Sequence, residues 1–202
     1  MSGNCTGGHH GCGGGGGTRY RKPVIYLYPK ESINVKIHFN LNKAKFTTVY
    51  PKFTSENEWN VLASPNGDIK IGNKIYPSLF WEAESYINQD FSKGFIVRDE
   101  DAETFLEEKL KLIGLNDKES YDFITFWLPL IKRNKLSLLS FQTKEFFKNF
   151  EEKIEPKPDT VLRVFLSIKK IEKNYDIEEQ KLTKVERNGF TVVEWGGSLI
   201  DN

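Results

Sequence analysis

The sequence contains few cysteines, and none lies in the main part of the chain. Only Cys5 and Cys12 occur among 202 residues, so residues 19–202 contain no thiol. No disulfide can therefore hold the body of the fold together, and its hydrophobic core must suffice. No apolar run approaches the roughly 18 residues that a membrane-spanning helix needs. The N-terminus also lacks the basic and then apolar segments of a signal peptide, so we expect no membrane span.

The sequence has almost no excess charge of either sign. Its 29 lysine and arginine residues nearly balance 28 aspartate and glutamate residues, which leaves a formal net charge of +1. This balance excludes a chain that binds polyanions through its overall charge, so we expect no nucleic-acid partner. The 38% hydrophobic and 28% charged fractions are those of an ordinary globular protein.

The first 18 residues differ in composition from the rest of the chain. Nine of the 16 glycines lie there, together with both cysteines and two of the three histidines. A segment this rich in glycine buries too little apolar surface to offset the entropy lost on ordering it. We therefore divide the chain into an arm, residues 1–18, and a single α+β domain, residues 19–202.

Short apolar runs in the first half of the domain predict β-strands. Residues 24–28 form an apolar run between two prolines, which predicts a strand buried on both faces. Gly72 and Asn73 separate two short runs and predict a hairpin turn. The other strands predicted in this half are 33–39, 46–50, 58–63, 79–83 and 94–97. Their short connections favour antiparallel pairing.

Helical periodicity replaces the strand pattern near Asp99. The pattern predicts one amphipathic helix ending at Gly114 and a second, largely apolar helix capped by Asn116 and Glu119. It also predicts a short third helix at 146–154, strands at 136–141, 161–168 and 190–195, and a solvated, charged excursion at 169–188. The predicted fold class is α+β, a mostly antiparallel sheet with two to three helices inserted before the C-terminal strands.

Several phrases of the sequence are similar to blocks of one family of bacterial and other microbial proteins. The most specific are KPVIYLYP at residues 22–29 and GFTVVEWGG at 189–197. Shorter matches are LFWE at 79–82, DFSKGF at 90–95, WLP at 127–129 and PKPD at 156–159. The family usually has glycine where this chain has Ala83. The resemblance implies one continuous domain over residues 22–197. Because the family is uncharacterised, the resemblance does not indicate any particular activity.

The arm contains four side chains that could bind a metal ion. Cys5, His9, His10 and Cys12 are thiols and imidazoles, which could hold zinc or copper in a tetrahedral site. Their spacing matches no established zinc pattern, and glycine-rich flanks make ordering such a site costly. The alternatives are a disulfide, within or between chains, and a flexible tail with free thiols. We expect that the protein needs no cofactor.

Two pairs of adjacent tryptophan and glutamate residues are the candidates for catalysis or binding: Trp81 with Glu82, and Glu194 with Trp195. Glu82 and Glu194 could act as acid and base across a cleft, as in glycoside hydrolysis, with Trp81 and Trp195 stacking on sugar rings. The simpler interpretation is that the glutamates face solvent while the tryptophans pack in the core. Arg163 lies between apolar neighbours and is assigned an ion pair at the core edge, with a ligand contact as the alternative.

No motif specifies a reaction, so we interpret the chain as a structural or interaction protein rather than an enzyme. A basic patch lies where the arm meets the domain and consists of Arg19, Arg21 and Lys22. Residues 98–122 are acidic, with nine aspartate and glutamate residues and four lysine and arginine residues. Contact between these regions of neighbouring copies would be head to tail. We expect a homo-oligomer or polymer, such as a filament, surface layer or virion, assembled through the arm and this patch. Without a signal peptide the cytoplasm is the default compartment, and an exported extracellular assembly is the alternative.

Overall fold

The structure is a computed structural model, and it describes residues 18–41, 44–85, 88–142, 147 and 150–200. Residues 1–17 of the predicted arm lie outside this part. The strands are β1 (Thr18–Tyr28), β2 (Ile33–Leu41), β3 (Ala44–Tyr50), β4 (Glu58–Ala63), β5 (Ile69–Ile71), β6 (Lys74–Tyr76), β7 (Leu79–Ser85), β8 (Phe95–Arg98), β9 (Leu136–Phe141), β10 (Phe150–Glu155), β11 (Thr160–Lys170) and β12 (Thr191–Ile200). The helices are α1 (Ala102–Ile113) and α2 (Asp117–Ile131).

The strands form two sheets. Seven strands pair in the order β3-β7-β1-β12-β11-β9-β8, and five in the order β10-β2-β4-β5-β6. All of these pairs are antiparallel except β11 with β12, which run parallel. The predicted mixture of helices with mostly antiparallel strands is confirmed. The prediction of one sheet is wrong, because the strands divide between two.

Strand β1 faces both hydrophobic cores of the molecule. Val24 and Tyr26 belong to the core shared with the two helices, whereas Ile25 and Leu27 belong to the core between the two sheets. Successive side chains of a strand point to opposite faces, so β1 is buried on both, as its apolar run predicts. The layers are therefore helices, seven-stranded sheet and five-stranded sheet.

Local signals determine where the two helices begin and end. Gly114 ends α1 with φ of 114°, a backbone conformation that glycine adopts without steric cost. The side chain of Asn116 accepts the N–H of Glu119, whose carboxylate accepts the N–H of Asn116 in return. This capping box confirms the predicted start of α2. Within the described residues, neither helix is long and apolar enough to cross a membrane.

Most side chains of residues 169–188 are exposed and none is buried, as the predicted solvated excursion requires, but the segment 171–190 is also attached to the domain. It has no helix or strand, yet it packs on the core through Leu182 and Val185. The side-chain amide of Gln180 bonds both the N–H and the C=O of Phe141. The N–H of Val185 donates to the C=O of Ile113 at the end of α1. The segment connects the parallel strands β11 and β12 and is fastened along its course, because its apolar and amide side chains find partners on the domain.

The predicted helix at 146–154 is wrong for residues 150–155. These residues form the edge strand β10, which pairs with β2 from Phe150–Leu41 to Glu155–Lys36. Ile154 and the side chain of Glu152 are buried, so β10 has the two-residue alternation of a strand with one covered face. Long-range pairing and packing override the local helical spacing here.

Candidate functional site

The structure places Glu82 and Glu194 on opposite faces of the seven-stranded sheet. Trp81 belongs to the core between the sheets, so its neighbour Glu82 faces the side of the helices. The indole N–H of Trp81 donates to Oε1 of Glu194 at 3.1 Å, which places Glu194 between the sheets. The two glutamates are therefore not arranged as an acid–base pair. Trp195 lies on the helix side, against the ring of Phe123.

Both tryptophans are buried, at 3% exposure for Trp81 and 1% for Trp195. Neither indole therefore has an exposed face for a sugar in this structure, and their packing in the core agrees with the simpler interpretation. Glu194 is also buried, at 5% exposure, which contradicts the simpler interpretation that it faces solvent. Strand alternation explains these positions, since both faces of β12 are covered.

Glu152, Arg163 and Glu194 form a buried cluster between the sheets, which we call the inter-sheet triad. The Arg163 guanidinium forms ion pairs with Glu152 on β10 and with Glu194 on β12, the latter at 3.0 Å between Nε and Oε2. Its carbon atom Cζ also lies 5.3 Å from the centre of the Phe147 ring. The ion pair that the sequence predicts for Arg163 is present. It joins the edge strand of one sheet to the middle of the other.

The inter-sheet triad has one more negative group than positive groups. Burial raises the pKa of Glu194 well above its usual value, and repulsion from Glu152 raises it further, while Arg163 opposes the rise. The guanidinium pKa of Arg163 is raised by its two carboxylate partners, which outweigh the opposing effect of burial. Protonation of Glu194 would leave one negative and one positive side chain in the triad, which lowers the cost of its burial. A groove of about 610 Å³ runs past Glu152 and Arg163.

A second cavity, which we call the helix-side pocket, lies between β1, β12, α2 and the turn before β7. Its volume is about 430 Å³, within the range of small-molecule sites. Its charged lining residues are Lys22 and Asp122, and Trp195 adds an indole. The other lining residues are Val24, Tyr26, Pro77, Ser78, Thr125 and Phe126.

Lys22 reaches the helix-side pocket from a bulge in β1. The pairing of β1 with both of its neighbours shifts register between residues 20 or 21 and Val24. Lys22 has φ of 57°, which is uncommon for a residue with a side chain. Its N–H donates to Oε1 of Glu82 at 3.3 Å, and its Nζ lies 5.7 Å and 5.2 Å from the rings of Phe80 and Phe126. Such bulges re-aim side chains, often beside functional sites.

The helix-side pocket is also lined by a carboxylate and two buried aromatic residues. The hydroxyl of Tyr26 donates to Oδ2 of Asp122 at 2.8 Å. Burial raises the pKa of the Tyr26 hydroxyl, and the bond to Asp122 raises it further, so Tyr26 stays protonated and keeps donating. Among the described residues, the indole N–H of Trp195 makes no hydrogen bond of good geometry, although it interacts with the Tyr26 hydroxyl and so partly opposes the rise in its pKa. A buried donor of this kind gains free energy from any acceptor that reaches it.

Together these groups define what the helix-side pocket can recognise. Lys22 donates hydrogen bonds and Asp122 accepts them, because a carboxylate has more acceptor positions than the single bond from Tyr26 uses. An anionic ligand would meet Asp122 and a cationic ligand would meet Lys22, so a net charge of either sign is disfavoured. Phe126 adds an aromatic wall. A neutral ligand with hydroxyl groups and an apolar ring face suits this arrangement.

Sequence reasoning assigned Lys22 to the arm contact and missed Tyr26 and Asp122. A tyrosine in a strand buried on both faces needs a partner for its hydroxyl, and this signal was present in the apolar run. The identity of the partner had no such signal, because Tyr26 and Asp122 are 96 residues apart. Arg19 and Arg21 lie in β1, where their backbone pairs with Glu84 and Gly197 of the same chain.

The predicted metal ligands Cys5, His9, His10 and Cys12 lie outside the described residues, so their role stays a prediction. In the part of the chain that the structure describes, no group of three or more histidine, cysteine, aspartate or glutamate side chains is placed to hold a metal ion.

Comparison with known proteins assigns no activity to this geometry. No protein-family model and no solved structure matches the chain. The uncharacterized protein in the bglA 3' region of Butyrivibrio fibrisolvens is 39% identical to it over 66 residues. That similarity covers 31% of this chain and 66% of the relative, so the chain spans slightly less than two thirds of the relative's length.

Proposed function

We propose that the chain is a carbohydrate-binding protein and that the helix-side pocket holds a neutral sugar. The pocket combines a hydrogen-bond donor, Lys22, an acceptor, Asp122, and the aromatic ring of Phe126. Sugar hydroxyls both donate and accept hydrogen bonds, and the apolar face of a sugar ring packs on aromatic side chains. Binding is proposed rather than hydrolysis, because Glu82 and Glu194 do not face a common cleft.

The conformation of Lys22 is the observation that carries this proposal. A lysine at φ of 57° within a bulge costs conformational free energy that a regular strand would avoid. The bulge directs the ammonium group between the rings of Phe80 and Phe126, at the pocket wall. Backbone strain of this kind is typical of ligand-binding positions, where the gain in binding offsets the cost in folding. The pocket also borders the buried Tyr26 and Trp195 side chains.

The test is isothermal titration calorimetry of the full chain with glucose, xylose, mannose and galactose. We expect at least one of these sugars to bind, and Lys22→Met to weaken its binding by tenfold or more, on the order of one lost charged hydrogen bond. The matched control is Lys109→Met. Lys109 also places its Nζ over two aromatic rings, Phe95 and Phe105, but it does not line the pocket. Its variant should bind as the unchanged chain does.

Two results contradict the proposal. The first is that none of the four sugars binds at millimolar concentration. The second is that a sugar binds equally well to the unchanged chain and to Lys22→Met, which would place the sugar elsewhere. Circular dichroism of both variants shows whether a loss of binding is a loss of folding.

A further inference from the structure

The aromatic wall of the helix-side pocket continues beyond the pocket, across the uncovered end of the seven-stranded sheet. Tyr50 on β3 lies directly opposite Phe80 on β7. Directly paired residues project from the same face of a sheet, so Tyr50 and Phe80 are neighbours on the helix side. The ring of Phe80 lies near Lys22, which lines the pocket. Only strand β7 therefore lies between β1, which carries Lys22, and β3, which carries Tyr50.

The helices leave this end of the sheet open. Among the described residues, the core beneath the helices includes side chains of β1, β8, β9, β11 and β12, but none from β3. Tyr50 is consequently 62% exposed, although it occupies the face that the helices cover elsewhere. The ring of Tyr76, on β6 of the other sheet, packs edge-on against it with 5.8 Å between ring centres, and Tyr76 also packs on the core between the sheets. Tyr76 directly precedes Pro77 and Ser78, which line the pocket. We call Tyr50, Tyr76 and Phe80 the aromatic shelf.

The charges around the aromatic shelf balance. On the same face, Lys45 of β3 lies opposite Glu84 of β7, and Glu82 follows two residues from Phe80. Lys22 holds Glu82 through its backbone N–H. Two lysines and two glutamates thus surround the shelf, a balance that favours a neutral occupant over a charged polymer. The distance from β1 across β7 to β3 is two strand spacings, about 10 Å, which accommodates sugar rings beyond the one in the pocket.

We propose that the site binds a linear, neutral oligosaccharide, with one ring in the helix-side pocket and the following rings on the aromatic shelf. This inference rests on the proposed function and names its substrate class. In this proposal Tyr50 and Tyr76 determine the preference for a chain over a single sugar, because they lie beyond the pocket, where only the further rings of a chain reach them.

The experiment measures affinity against chain length for the full protein, using glucose-, xylose-, mannose- and galactose-based oligosaccharides of one to six units. We expect affinity to rise with length until the shelf is filled. Tyr50→Ala and Tyr76→Ala should each weaken binding of the longer sugars by about three- to tenfold, and leave that of the single sugar unchanged. Tyr175→Ala is the matched control, since Tyr175 is also exposed but lies on the segment between β11 and β12.

The outcomes separate this inference from the proposal on which it depends. The oligosaccharide inference is overturned if affinity does not change with chain length, or if Tyr50→Ala and Tyr76→Ala both bind the longer sugars as the unchanged chain does. Sugar binding that depends on Lys22 would still stand in either case. The absence of any Lys22-dependent sugar binding overturns both. Because Tyr50 is exposed and lies on an edge strand, its variant should keep the melting temperature of the unchanged chain, which circular dichroism checks.

Discussion

Arg187 closes its guanidinium group on the carboxylate of Glu119, which has no exposed surface. Nη1 of Arg187 lies 3.0 Å from Oε1 of Glu119, Nη2 bonds Oε2, and Nε and Nη2 also donate to the C=O of Gly114. Glu119 is simultaneously the reciprocal cap of α2. One ion pair therefore fastens the segment after β11 to the junction of the two helices, although 68 residues separate its partners.

Removing Arg187 should destabilise the protein strongly. Arg187→Met leaves the Glu119 charge buried without its partner, which costs about 3 kcal/mol of unfolding free energy. The double variant Arg187→Met/Glu119→Gln should recover about half of this loss, because glutamine keeps the capping box without a charge. Urea denaturation followed by circular dichroism measures both. A single variant that loses less than about 1 kcal/mol would contradict the prediction.

The inter-sheet triad should make stability depend on pH. Glu194 has a raised pKa, so its protonated form contributes stability that is fully present below the ordinary value of 4.5 and is lost as pH rises through the raised pKa. The groups that face Glu194 are Glu152, Arg163 and Trp81. In Glu194→Gln this loss should disappear, so the unchanged chain should lose stability relative to the variant by up to about 1.4 kcal/mol per pH unit.

The measurement is urea denaturation at several pH values above and below 4.5, the ordinary pKa of glutamate. Glu151→Gln is the matched control, since Glu151 is the exposed neighbour of Glu152 on β10. Its pH profile should match that of the unchanged chain. Parallel profiles for the unchanged chain and Glu194→Gln would show that Glu194 does not titrate in this window.

At position 22, a glycine variant should have a higher unfolding free energy than an alanine variant. Alanine retains the strain of the left-handed conformation, whereas glycine relieves it, so Lys22→Gly should exceed Lys22→Ala by about 1 kcal/mol. Lys36, an exposed residue of β2 in regular strand conformation, provides the comparison. There glycine should be worse than alanine by about 0.5–1 kcal/mol. The same order of glycine and alanine at both positions would argue against strain at Lys22.

Self-assembly through the arm, residues 1–18, stays a prediction. A chain that starts at Thr18 retains the whole of β1, whose first residues pair with Ala83, Glu84 and Ser85. Light scattering after size exclusion should show an assembly for the full chain and a monomer for the shortened one, with unchanged circular dichroism. Two monomers would refute assembly through the arm. Assembly of the shortened chain would place the contact on the domain instead.

Much of the local structure was predictable, because short-range physical chemistry determines it. The capping box at Asn116 and Glu119 and the hairpin turn at Gly72 depend on residues within a few positions of one another. The double burial of β1 follows from its apolar composition alone. The segment 150–155 was mispredicted because its apolar spacing fits a helix, whereas pairing with β2 determines its conformation.

The candidate site was predictable only in fragments. Trp195, which lines the pocket, was singled out from its strand-like surroundings, yet the pocket also needs Lys22, Tyr26 and Asp122. Lys22 and Tyr26 lie on β1 and Asp122 on α2, and nothing in their spacing indicates that the helix residue meets the strand residues. Trp81 and Glu194 were considered together as parts of a cleft, and the structure places them instead as a buried hydrogen-bonded pair.

By itself, then, the sequence determined the mixture of helices with mostly antiparallel strands, the end of α1, the start of α2 and the double burial of β1, since propensity, capping and alternation act over a few residues. The tertiary structure alone decided which strands share a sheet, which face of the sheet each glutamate occupies and which side chains form the pocket. Those choices depend on the packing of residues far apart in the chain, whose free energy no local pattern contains.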